Sequence, residues 1–141
     1  MKHTYGNVLG LVLFMTLVVM LCGCKDSEKF ETITSQEAAE MMATESGYVV
    51  VDVRGKEEYD KGHIPGAINI PIDSLKQDIR NNEAIPELAD KKKVYLIYCR
   101  SGRRSNEAAK LLSSFGYKHI YEFGGIVEWK GEIESSQPSG E

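Results

Sequence analysis

The sequence predicts an α/β domain built on an open sheet with helices on both faces. Two observations carry this. Tyr48 to Val53 (YVVVDV) and Val94 to Tyr98 (VYLIY) are β-branched or aromatic and almost continuously apolar, the pattern of strands buried on both faces, as in a parallel sheet. Around them lie amphipathic stretches with helix start and stop signals, so strands and helices alternate over about 110 residues.

The elements follow in order. Phe30 to Ile33 is a short strand, and Thr34, Ser35, Gln36, Glu37 form a capping box that opens a helix through Ala43, a unit that Gly47 ends. The first apolar strand, Tyr48 to Val53, carries Asp52 near its carboxyl end. Lys56 to Lys61 is a helical turn or two, Ala67 to Ile70 a short strand, Ile72 to Arg80 an amphipathic helix, and Pro86 to Ala89 a further helical piece. After Val94 to Tyr98, the residues Ala108, Ala109, Leu111, Leu112 and Phe115 share one face of a helix from Arg104 to Phe115, with Gly116 as its C′ residue. His119 to Phe123 is the last strand, and residues 131–141, polar with Pro and Gly, are expected to form a loose tail.

At 141 residues, 42% hydrophobic and 27% charged, the chain is sized for one ordinary globular domain. A net charge of −4 argues against nucleic acid or an anionic membrane surface as the main electrostatic partner, so any anion site must be local. Three cysteines, at 22, 24 and 99, cannot staple a fold. His3, His63 and His119 show no metal-ligand spacing, and no metal is expected.

The N-terminus reads as an export signal. Lys2 and His3 precede an uncharged run from Val8 to Cys22, about the length of a signal-peptide core and short of the roughly 20 residues a spanning helix prefers. Leu21, Cys22, Gly23, Cys24 resembles the bacterial lipobox, with Cys22 an uncommon residue at its position. The resemblance implies a signal over residues 1–23, acylation of Cys24, and a domain on the extracytoplasmic side of the cell envelope. A simple N-terminal membrane anchor is the alternative. With a tether over 24–29, the five residues between Cys24 and Phe30 span at most roughly 20 Å, so domain 30–130 would sit close to its membrane. Processing would leave Cys99 as the lone free thiol.

The chemistry is expected after the second buried strand, because open α/β sheets bind ligands beyond the carboxyl ends of their strands. Cys99 follows VYLIY directly, and Arg100, Ser101, Gly102, Arg103, Arg104 and Ser105 lead into a helix. A strand end, a tight loop and a helix N-terminus thus converge on one thiol. Successive backbone N–H groups in such a loop form a nest for an anion, and the same field favours thiolate over thiol. The three arginines add to that field, and Gly102 permits a left-handed backbone.

The segment CRSGRRS resembles the active-site loop of rhodanese-type sulfurtransferases. VDVRGKEEYDKGHIPGAINIP (Val51 to Pro71) is similar to a signature of that family on one side, and GYKHIYEFGGIVEW (Gly116 to Trp129) to a second on the other. The resemblance implies a doubly wound domain with a five-stranded, mostly parallel sheet. It also implies a cofactor-free reaction, in which Cys99 takes sulfane sulfur from a small anionic donor such as thiosulfate, holds it as a persulfide and passes it to cyanide, a thiol or a partner protein. The N–H groups of Arg100 to Ser105 would hold the terminal sulfur and Arg100 and Arg103 would attract the donor. Arg104 would serve either the anion or the loop's shape.

Two other readings remain. Phosphatases and arsenate reductases that share the fold also use a Cys-to-Arg loop, but with seven positions, and position 105 here is Ser105. An inactive binding or sensor module would usually lack the cysteine. Of the flanking residues, Asp52 and Arg54 are expected to support the site as a charge pair or by bonding to the loop. Gly124 and Gly125 are expected to let backbone approach it, His63 to shape its turn, and Trp129 to close the core.

Overall fold

The computed structural model describes residues 29–136. The signal and the Cys24 lipidation site fall outside the described residues.

Five strands, β1 (Glu31–Thr32), β2 (Tyr48–Asp52), β3 (Ile68–Asn69), β4 (Val94–Cys99) and β5 (His119–Gly125), form one sheet in the order β1-β5-β4-β2-β3. Every pairing is parallel, where a mostly parallel sheet was expected. The helices are α1 (Ser35–Thr44), α2 (Lys56–Lys61), α3 (Ile72–Asn81) and α4 (Arg103–Ser114), with 3-10 turns at Pro86–Leu88 and Ile126–Glu128.

Alternation along β4 separates the two faces of the core. Tyr95, Ile97 and Cys99 pack with Leu75 of α3 and with Ala108, Ala109 and Leu112 of α4. Leu96 and Tyr98 pack on the other side with Ala38 of α1, Ile64 and Phe123. The central strand is buried on both faces, which is why its sequence is a continuous apolar run rather than an alternating one. The edge strands β1 and β3 are two residues each, shorter than the four-residue stretches read from the sequence. Short edges offer little backbone for pairing with another chain.

Local signals place the helix ends. Thr34 accepts from the Glu37 N–H at 3.1 Å, and the Glu37 carboxylate accepts from the Thr34 N–H at 2.7 Å, closing the expected capping box. Gly116 follows α4 at φ +86°, a left-handed conformation suited to the C′ residue. The last strand runs two residues further than expected, through Gly124 and Gly125, because β5 keeps pairing with β4 past a register shift between Ile97 and Cys99. Helix α4 starts at Arg103, one residue earlier than expected.

The expectation of a loose tail from residue 131 needs correcting up to residue 136. His63 and Glu134 exchange backbone hydrogen bonds of 2.9 Å in each direction. The Ser136 N–H donates to the Asp60 carbonyl at 3.1 Å, and the Trp129 indole N–H donates to the Glu132 carbonyl at 3.1 Å. A strand-like bridge to the buried His63 turn holds this segment, and composition alone carries no sign of so distant a partner. His63 stacks on Tyr59 with ring centroids 3.7 Å apart, and its Nδ1 lies 2.8 Å from the Tyr59 carbonyl.

Asp52, fully buried at the end of β2, binds the Arg54 guanidinium, with Arg54 Nη2 at 2.6 Å and Nε at 2.9 Å from Oδ2. Arg54 also donates to the Gly62 carbonyl at 2.7 Å, and the Asn69 amide donates to the carbonyls of Asp52 and Arg54 at 3.0 and 2.9 Å. The pair therefore binds together the ends of β2, α2 and β3; of the two arrangements expected, a charge pair or a bond to the loop, the contacts are those of a charge pair. Removing one partner would leave a buried guanidinium uncompensated. Asp52→Ala is expected to lower unfolding free energy by about 3–5 kcal/mol in denaturant titrations, far beyond the effect of an exposed substitution such as Glu57→Ala.

Candidate active site

The carboxyl end of β4 delivers Cys99, and the three residues after it turn the chain into α4. Gly102, at φ +97°, makes that turn in the left-handed region, which directs its N–H at the Cys99 Sγ, 3.1 Å away. Cys99 is 1% exposed, whereas Arg100, Ser101 and Arg103 are exposed above it. The sulfur thus lies at the floor of a short loop whose rim is cationic.

Glycine is required at position 125 for a steric reason. A Cβ there would lie 2.1 Å from the Arg100 carbonyl oxygen, so the two backbones approach too closely for any side chain. Gly124 contributes differently: at φ +81° its N–H donates to the Glu122 carboxylate at 2.8 Å, and its carbonyl faces the Ser105 hydroxyl at 3.2 Å.

Ser105 belongs beneath the sulfur. Its side chain is fully buried, with Oγ 3.4 Å from Cys99 Sγ, 2.6 Å from Glu122 Oε1 and 3.0 Å from the Gly102 carbonyl. The sequence pointed to Ser105 for its backbone N–H; the structure adds its hydroxyl. Burial raises the Cys99 pKa, but hydrogen bonds from the Ser105 hydroxyl and from the N–H groups of Ser105, Ser101 and Gly102 together outweigh it. The thiol is held below its ordinary value.

Arg104 turns away from the sulfur cradle. Its guanidinium grips Glu58 of α2 in a two-pronged ion pair, Nη1 to Oε2 at 2.6 Å and Nη2 to Oε1 at 3.0 Å. This pair lowers the Glu58 pKa to about 2. Of the two roles open to Arg104, holding an anion or holding the loop's shape, these contacts fit the second. They brace the start of α4 against the start of α2.

Two residues of the site were not singled out in the sequence. Glu58 lies 46 positions from Arg104, and nothing in the sequence links them. Glu122 did leave a signal: it is a carboxylate in HIYEF, on the same face of β5 as the core residue Ile120. In the structure it is 3% exposed and lies under the loop. Among the described residues no cluster of His, Cys, Asp and Glu is arranged to hold a metal ion.

Comparison with known proteins agrees with this fold. The chain is 42% identical over 78 residues to the thiosulfate sulfurtransferase PspE of Escherichia coli, covering 55% of this chain and 70% of that protein. It is 31% identical over 106 residues to the putative sulfurtransferase YtwF of Bacillus subtilis, covering 75% of this chain and 96% of that one. A solved structure described as a rhodanese with anions from E. coli superposes with a TM-score of 0.53 at 33% identity, covering 62% of this chain and 98% of that one. The model of the rhodanese-like domain matches residues 34–132. With the cysteine loop, its glycine support and strands β2 to β5 in that span, the chain belongs to the rhodanese-like domain family, as do relatives named sulfurtransferases.

Proposed function

We propose that this protein is a sulfurtransferase that carries sulfane sulfur on Cys99 as a persulfide. The observation that carries the reading is the Cys99 sulfur itself, set against the Gly102 N–H at 3.1 Å and held below the ordinary thiol pKa by hydrogen bonds. The Cys99 thiolate attacks the outer sulfur of thiosulfate. A Cys99 S–S bond forms as the donor's S–S bond breaks, and the bonding pair leaves on sulfite. The persulfide anion then yields its outer sulfur to a thiophile such as cyanide or a thiol, and Cys99 returns as thiolate.

Two features favour this over the alternatives. A phosphatase cradle needs an arginine at its end that reaches into the loop, and here Arg104 is engaged with Glu58 while Ser105 occupies the next position beneath the sulfur. A passive binding module has no need of a thiol with a lowered pKa.

The decisive experiment is mass analysis of the full chain after exposure to thiosulfate and desalting. The peptide containing Cys99 is expected to gain one sulfur, about 32 Da, which cyanide removes as thiocyanate. Cys99→Ser should abolish both. Rapid alkylation of Cys99 with no sulfur adduct from any donor would refute the reading.

Arg100 and Arg103 are exposed at the rim, where they act on the approaching anion rather than on the buried sulfur. Replacing both with Ala is expected to raise the KM for thiosulfate about tenfold and to flatten its salt dependence, while Cys99 alkylation stays fast. An unchanged KM would remove this role.

We infer further that the chain is a lipoprotein anchored through Cys24, from the resemblance of Leu21 to Cys24 to a lipobox. Cys24→Ser should release the protein from the membrane fraction. Intact mass of the membrane form should show an acylated N-terminus at Cys24; an unacylated chain starting at Met1 would instead indicate a retained anchor.

A further inference from the structure

We propose that Glu58 is a specificity-determining residue that acts through Arg104: by holding that guanidinium on α2, it withholds the third arginine of the loop from any oxyanion that enters the Cys99 cradle. Both Nη atoms are committed. Nη1 lies 2.6 Å from Glu58 Oε2 and Nη2 lies 3.0 Å from Oε1, so the forked edge that would clasp a sulfate or sulfite group is already on a carboxylate. Arg100 and Arg103 differ: both are exposed and, among the described residues, neither is in an ion pair. An anion at the loop therefore meets two free guanidinium groups and a third whose charge is largely cancelled at close range.

Arg104 is well placed for the role denied to it. It is the second residue of α4, the helix that starts at the loop, and the next residue, Ser105, puts its hydroxyl 3.4 Å from Cys99 Sγ. The Arg104 pKa is raised above the ordinary guanidinium value first by the Glu58 hydrogen bonds, and further by the charges of Glu58, Cys99 and Asp52. The guanidinium thus lies within electrostatic range of the sulfur. Burial does not fix it where it is: the side chain is 24% exposed, and among the described residues Glu58 is the guanidinium's sole hydrogen-bonding and ion-pairing partner. Without the carboxylate's charge, a flexible cation at the edge of the loop is free to turn toward an anion.

Glu58 is itself held. The Gly55 N–H donates to its Oε2 at 3.3 Å, and Gly55 follows Arg54, whose guanidinium is locked to the buried Asp52. The Arg104 hydrogen bonds lower the Glu58 pKa to about 2, so the carboxylate stays an anion around neutral pH. Withholding a cation suits a site that must release what it binds. In the proposed reaction sulfite leaves the loop after each transfer, and a third guanidinium fork on that anion would slow its departure. Glu58 is thus a positioning residue that sets how tightly the loop holds oxyanions, a duty separate from bracing α4 against α2.

The inference rests on the proposed reaction only for the identity of the departing anion, and its test needs no sulfur donor. The probe is inorganic sulfate, read by how well it protects Cys99 from alkylation by iodoacetamide, an uncharged reagent. In Glu58→Gln, half-protection is expected at about one tenth of the sulfate concentration that the wild type needs. Glu57→Gln, which removes the same charge from the exposed neighbouring residue, should leave that concentration unchanged. Arg104→Ala should not tighten protection, and Glu58→Gln combined with Arg104→Ala should lose the gain. A simple brace predicts otherwise, since Glu58→Gln would loosen the loop and weaken protection. Unchanged or weaker protection in Glu58→Gln, or a gain that survives the added Arg104→Ala, would overturn the proposal. NMR of the wild-type guanidinium groups gives a second readout that decides alone if Glu58→Gln does not fold. Saturating sulfate should shift the side-chain signals of Arg100 and Arg103 and leave those of Arg104 in place. An Arg104 shift as large as theirs would also overturn it. Tighter sulfate protection in Glu58→Gln of a protein that never takes sulfur from thiosulfate would support this inference and count against the proposed function alone.

Discussion

The arrangement at the end of β4 depends on one close approach, the backbone of Gly125 lying against the backbone of Arg100. With a Cβ at position 125 the two could not come together, since it would fall 2.1 Å from the Arg100 oxygen. That contact holds the cysteine loop down on β5 and allows the register shift through which Cys99 pairs with Gly125. It also brings Glu122 and the Gly124 carbonyl to the Ser105 hydroxyl. The sulfur environment is thus a product of how tightly two main chains pack, and the polar contacts follow from that packing.

Charge is divided between two shells with different duties. The inner groups are paired or hydrogen-bonded: Asp52 with Arg54, Arg104 with Glu58, and Glu122 with Ser105 and Gly124. They hold chain segments at fixed distances, and their value lies in that geometry because buried ion pairs add little net stability beyond an apolar replacement. The outer groups, Arg100 and Arg103, are exposed and keep their positive field available to a solute. A buried thiol under a cationic rim is an arrangement suited to an anion, which must shed water as it approaches the sulfur.

Much of the architecture was legible because strong local rules applied. The YVVVDV and VYLIY runs announced parallel strands, Thr34 and Glu37 announced a helix start, and Gly116 announced a helix end. The residues read as a loop, Cys99 to Ser105, do lie together at a strand end. Where the reading fell short, the missing information was a distant partner. The segment at 131–136 looked like a loose tail because its docking site, the His63 turn, is remote in sequence. Arg104 looked available to an anion because Glu58 is 46 positions away.

The sequence by itself determined where the thiol stands and what kind of backbone surrounds it. Cys99 after an apolar run, before a glycine and a helix start, dictates a thiol in a nest of N–H groups through interactions among near neighbours. Only the tertiary structure decided what each charged side chain does. A guanidinium or carboxylate acts on whichever group folding brings within hydrogen-bond distance, and for Arg104 and Glu122 those groups come from other strands and helices. Short-range backbone geometry is written along the chain, whereas long-range pairing exists only once the sheet has closed.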